Sequence, residues 1–196
     1  MVEEQAFYVQ CTGQVESGDF GPLDNLYCRY AFHFGNDWIV SAGVDTGLSQ
    51  IARKAPTHYE QGVVWNFPVD VTFKSTNVFG WPRVALSVYG IDYLGRDVVR
   101  GYGSALVPLT PGQHFIEVDT YTPVATSAFN QLMAWVLGNP PEFFDSKFVC
   151  QGEGREVTRV QASGTIRLKL NVTTKGINAV GYSTISQGSN QQALVR

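Results

Sequence analysis

Two stretches of this chain alternate strictly, and together they decide what it can fold into. In Trp65-Asn66-Phe67-Pro68-Val69-Asp70-Val71-Thr72-Phe73-Lys74 every odd position is apolar and every even position is polar or proline. Thr165-Ile166-Arg167-Leu168-Lys169-Leu170-Asn171-Val172-Thr173 repeats the pattern, with its aliphatics on the even positions. A period of two puts one face of a strand in a core and the other in water, so both segments predict sheets buried on a single side. Further strands are predicted at Phe7–Val15, Leu26–Phe34, Trp38–Ser41, Val84–Tyr89, Val98–Val107 and His114–Tyr121, and a polar stretch runs to about Gln61. Among 196 residues, 20 glycines and 9 prolines supply the turns such a chain needs. About eight strands, each offering one apolar face, imply an all-β antiparallel sandwich with those faces packed together.

One segment breaks the alternation. Phe129, Leu132, Met133, Val136 and Leu137 recur at helical spacing, with Thr126 or Ser127 as the N-cap and Gly138 at the C-terminal cap. They predict a single amphipathic helix inserted between late strands. The polar, Gln- and Ser-rich residues 183–196 are expected to form a flexible tail. Residues 7–182 remain as one domain, and at this size a core buries roughly 70% of the unfolded surface without a staple.

The bulk charge excludes one class of partner. A net charge of −3 and a pI of about 5.6 lack the basic footprint of a nucleic-acid binder. Cys11, Cys28 and Cys150 are odd in number and form no C-x-x-C pair, so reduced thiols are expected rather than disulfides or zinc ligands. Met1–Gln5 has neither a basic n-region nor an apolar h-region, and the longest apolar run, Leu132–Leu137, is too short to span a bilayer. These features predict a cytosolic chain, in which the sequon Asn171-Val172-Thr173 is fortuitous.

Catalytic signals are absent as well. His33 falls on the polar side of its strand, His58 in a long loop, and His114 opens a strand, none with a partner that marks it as a base or ligand. There is no G-x-S-x-G and no H-E-x-x-H. Gly101-Tyr102-Gly103 and Gly152-Glu153-Gly154 lack a third glycine and predict close strand packing instead. Asp92 with Asp97, or Glu117 with Asp119, read as isolated loop and strand acids rather than an acid/base pair. No motif requires a cofactor, and the chain is expected not to be an enzyme.

Several blocks together resemble the B9 domain family, a divergent relative of the C2 domain. They include Val64-Trp65-Asn66-Phe67-Pro68, Asp70-Val71-Thr72-Phe73-Lys74-Ser75-Thr76-Asn77, Gly80-Trp81-Pro82, Leu86-Ser87-Val88-Tyr89-Gly90, Asp97-Val98-Val99-Arg100-Gly101-Tyr102-Gly103 and Gln151-Gly152-Glu153-Gly154-Arg155. The resemblance runs from about Phe7 to Tyr182. It implies a C2-like fold and a scaffold subunit of the Meckel-syndrome complex, associated with two other B9 proteins. It also implies a place on the cytoplasmic side of the ciliary base, at the transition zone and basal body. There it implies a part in ciliogenesis, the ciliary membrane barrier and Hedgehog signalling.

The C2 relationship raises calcium, which takes six to eight oxygen ligands and here would need about five carboxylates on neighbouring loops. By register with calcium-binding relatives, the first loop offers Asp19 and Asn25, with Asp24 beside it; the third offers Gly90, Asp92 and Val98. About two acids of five remain, so degenerate loops are expected, without a metal. The alternative is a C2-type phospholipid-binding module with peripheral membrane contact. For partner binding the candidates are Phe79, Trp81, Arg155 and Arg159. Phe79 and Trp81 flank Gly80 in a turn, where outward aromatics anchor partners and inward ones cap the sandwich. Trp81 is expected to face inward; for Phe79 the sequence favours neither direction. Arg155 and Arg159, if adjacent to Arg167 and Lys169, make a modest basic patch.

Overall fold

The computed structural model of the chain describes residues 6–55, 62–92, 95–123, 150 and 159–182. The helix expected over Phe129–Leu137, the tail from Ser183, His58 and Arg155 all lie outside these residues. Nine strands follow in chain order: β1 (Phe7–Asp19), β2 (Leu26–His33), β3 (Trp38–Gly43), β4 (Thr46–Leu48), β5 (Val63–Ser75), β6 (Arg83–Ile91), β7 (Asp97–Leu106), β8 (Gly112–Pro123) and β9 (Val160–Lys175). A short 3-10 turn, Ile177–Val180, closes the described chain.

All neighbouring strands pair antiparallel, in the spatial order β3-β5-β1-β9-β8-β7-β6-β2-β4. The sheet is continuous but folds over on itself. β7 and β8 share the single pair Tyr102↔Tyr121, so the molecule has two leaves, β3-β5-β1-β9-β8 and β7-β6-β2-β4. The apolar sides of the leaves face each other. Tyr30 of β2 lies 6.0 Å from Phe67 of β5, and Phe32 of β2 lies 5.5 Å from Phe73 of β5. The Trp65 indole N–H on β5 donates to the Leu26 carbonyl on β2 at 2.9 Å. Val9, Cys11, Val71, Phe73, Leu86, Val88, Leu168 and Leu170 fill the space between the leaves, each fully removed from water. Burying a side chain of this size contributes about 1.5–3 kcal/mol.

The differences from the sequence reading have local causes. Among the described residues there are nine strands rather than eight, because β4 falls in the stretch read as polar. Three residues carry no periodicity, and the central one, Gly47, lies so close under Tyr30 that a Cβ would come within 2.5 Å of the ring. β1 runs on past Val15 to Asp19 because a bulge between Val15 and Ser17 shifts the register and breaks the alternation. Pro68 sits inside β5 without cost to the ladder. It opposes Gln14 of β1, and β3 reaches β5 only from Val71 to Ser75, so no second neighbour needs the missing N–H.

Candidate interaction surfaces at the two ends of the sandwich

One end carries the loops on which the sequence places its acids. Asp19 Oδ1 accepts the Gly21 N–H at 3.1 Å, and Gly21 takes a left-handed φ of 58° to allow it. Asp24 Oδ1 accepts the Lys54 N–H at 2.8 Å, and Asn25 Oδ1 accepts Arg53 Nε at 2.8 Å. Lys54 Nζ donates to the Gly21 carbonyl. The Asp24 carboxyl is held below its ordinary pKa, first by the Lys54 N–H, then by the Asn25 N–H, with smaller help from the charges of Arg53 and Lys54. On the β6–β7 loop, Asp92 accepts the Arg96 N–H at 2.9 Å and pairs with its guanidinium at 2.8 Å.

Asp24, Asn25 and Asp92 are therefore already engaged by the chain's own donors. Arg53, Lys54 and Arg96 bring positive charge to a rim where a divalent cation would need anionic oxygen. The residues present do not fit a calcium site. Among the described residues no group of three or more His, Cys, Asp or Glu is placed to hold a metal ion. Nothing in the sequence marks Arg53 and Lys54, which meet Asn25 and Asp24 across a long connection. Arg96 was legible, because a basic residue four places beyond Asp92 is within reach.

The opposite end is built from backbone and indole hydrogen bonds. The Ser75 hydroxyl contacts the Asp37 and Asn77 carbonyls at 2.9 and 2.7 Å, and Asn77 Oδ1 accepts the Phe79 N–H at 3.1 Å. Trp38 Nε1 donates to the Phe79 carbonyl at 2.7 Å, and the Gly35 N–H to the Gly80 carbonyl at 2.9 Å. Gly80 has φ 70°, and a Cβ there would come within 2.5 Å of the Gly35 Cα. Trp81 turns inward: its ring meets Trp38 edge-on at 5.1 Å and stacks on Phe7 at 6.5 Å, and its N–H donates to the Val107 carbonyl at 2.9 Å. Phe79 turns outward and is 80% exposed on a backbone held from both sides.

Among the described residues, Arg159 does not join Arg167 and Lys169. Arg159 precedes β9 and is exposed, while Arg167 lies eight positions further along, roughly 25 Å away at the rise of a strand. Arg167 pairs with Glu117 at 3.2 Å, and Lys169 lies over the Phe115 ring at 5.5 Å. Cys11 and Cys28 are buried free thiols, and burial pushes each up to about 12.

The sequence from residue 9 to 173 matches the family described as "Ciliary basal body-associated, B9 protein". The chain belongs to the B9 family. B9 domain-containing protein 1 of mouse is 51% identical over 178 residues, covering 91% of this chain and 87% of its own length. The human B9 domain-containing protein 1 is 49% identical over the same coverage. B9 domain-containing protein 2 of Xenopus laevis is 27% identical over 90% of this chain and 98% of its own. Among solved structures, a C2 domain of a plant extended synaptotagmin overlays 86% of this chain and 94% of its own at 10% identity. Its TM-score of 0.35 is too low to carry a functional argument. The B9 family is described by its association with the ciliary basal body, and neither that description nor the relatives' names carries a catalytic activity.

Proposed function

We propose that this B9 chain is a non-enzymatic scaffold subunit, acting by being gripped rather than by reacting. Its partners are the other B9-domain proteins of the Meckel-syndrome complex, on the cytoplasmic side of the ciliary base. At the transition zone the assembly supports ciliogenesis, the membrane barrier and Hedgehog signalling. Family membership supports the ciliary setting. The observation that carries the mechanism is the loop rim, where Arg53 engages Asn25, the Lys54 N–H engages Asp24 and Arg96 engages Asp92, the side chains a calcium-operated module would offer to the ion. Phe79 supplies a rigid apolar anchor at the other end. Ordering it on binding costs little, because its backbone is already fixed.

Co-expression with two other B9-domain proteins, B9 domain-containing protein 2 among them, followed by size-exclusion chromatography, tests the assembly. Co-elution with at least one is expected, and separate elution of every chain overturns it. Calcium titration of the purified chain by calorimetry is expected to show no heat of binding; micromolar affinity would restore the calcium-dependent reading. The exposed Phe79 also favours a calcium-independent contact with phospholipid. Sedimentation with phosphatidylserine vesicles in the presence of a chelator distinguishes that reading from a purely protein-binding role.

A further inference from the structure

The ribbon from Trp38 to Ala52 forms both outer edges of the folded sheet: β3 ends one leaf and β4 the other. Native edges are guarded by charge or proline. Here Trp38-Ile39-Val40-Ser41-Ala42-Gly43-Val44-Asp45-Thr46-Gly47-Leu48-Ser49-Gln50-Ile51-Ala52 holds a single charged residue and no proline. Ile39, Val44, Leu48 and Ile51 are between 51% and 59% exposed along it.

At β4 the register identifies the unspent backbone groups. The Phe32 N–H donates to the Asp45 carbonyl and the Ser49 N–H to the Cys28 carbonyl. Between these bonds, Ala31, Tyr30 and Arg29 oppose Thr46, Gly47 and Leu48. Antiparallel pairs alternate between bonded and non-bonded, so Gly47 bonds inward while Thr46 and Leu48 turn N–H and C=O away from β2. Among the described residues no strand lies on that side.

A groove of about 360 Å³ runs beside this edge, lined by Tyr27, Arg29, Thr46, Gly47, Leu48 and Tyr89. Tyr27 and Tyr89 stack at 5.3 Å to form one wall. Arg29 is exposed, and its guanidinium makes no hydrogen bond or ion pair among the described residues.

We propose that β4 accepts an extended segment of another B9-domain chain as an added strand, with a carboxylate of that segment seated on Arg29. This rests on the assembly reading above and names the surface it uses. The row of outward N–H and C=O groups at Thr46 and Leu48 matches the backbone of a second strand, whereas a lipid headgroup would engage only the guanidinium. A residue opposite Leu48 on an added strand lies two strand spacings from Arg29, about 10 Å, which Arg and Glu side chains span together. The planar guanidinium beside aromatic walls selects a carboxylate in forked geometry.

The test uses the full chain with Xenopus laevis B9 domain-containing protein 2. Leu48→Lys and Arg29→Glu, both at exposed side chains, are expected to weaken association at least tenfold while leaving the melting temperature unchanged. In the wild-type complex, hydrogen exchange at the amides of Thr46 and Leu48 is expected to slow at least tenfold. A complex that forms equally well with both variants, with unprotected amides, overturns the edge and leaves the assembly reading standing. Failure of the wild-type chains to associate removes the assembly reading and this inference with it. A homodimer of this chain abolished by Leu48→Lys would show that the occupant is a second copy, which also overturns the proposal.

Discussion

The two ends of the sandwich solve the problem of exposed loops in opposite ways. At the acid rim, side-chain charge is turned back on the chain: Asp24 receives the Lys54 N–H, and Asp92 receives the Arg96 backbone and guanidinium. At the other end, polar groups are spent on backbone and indole bonds, and an apolar ring is left standing in water. Water rewards the first arrangement and penalises the second unless something covers the ring. The rim is thus chemically quiet, and the Phe79 turn carries the unsatisfied surface.

The sharpest way to break this contrast is Trp81→Ala. Removing a ring packed on Trp38 and Phe7 is expected to cost about 3 kcal/mol in urea unfolding, and a loss below about 1 kcal/mol would mean the turn is not held from inside. Gly80→Ala tests the same hold through the backbone. Its φ of 70° and the approach of Gly35 predict a loss of about 1–3 kcal/mol, read as a fall in melting temperature.

The rim should yield smaller effects. Arg96→Ala strips the Asp92 guanidinium partner but not the backbone donors, and a loss of about 1 kcal/mol is expected by chemical denaturation. Asp24 adds a pH dependence of known sign. Its carboxyl pKa is lowered from 3.8 in the folded chain, so its stabilisation is present above that value and lost as the pH falls through the folded value. The melting-temperature advantage of wild type over Asp24→Asn should shrink as the pH is taken below 3.8. Smallest for the fold is Phe79→Ala, expected within about 0.5 kcal/mol of wild type. The same change should weaken partner binding in a pull-down. A large drop in melting temperature would instead place the ring in the core.

The long strands were legible where their alternation is unbroken: β5 and the 165–173 part of β9 needed nothing beyond period two, whereas residues 160–164, which extend β9 at its start, carry no alternation and were not legible. β4 was not, since Thr46-Gly47-Leu48 has no room for a pattern and depends on Gly47 fitting beneath Tyr30. The inward turn of Trp81 followed from Pro82 and the core strand after it. The outward turn of Phe79 did not, because it is set by Trp38 and Gly35, which reach the loop from a different hairpin. The depletion of loop acids could be read from the sequence. The capture of Asn25 by Arg53 and of Asp24 by Lys54 could not, because the contacts are made only after the chain has doubled back.

The lone Tyr102↔Tyr121 rung has a mechanical consequence. Among the described residues, every other junction is laddered by several backbone pairs, and this one by a single pair. A subunit tethered by neighbours on both leaves would part along that line before any longer ladder tears, with the ribbon from Trp38 to Ala52 still joining the leaves at their far edges.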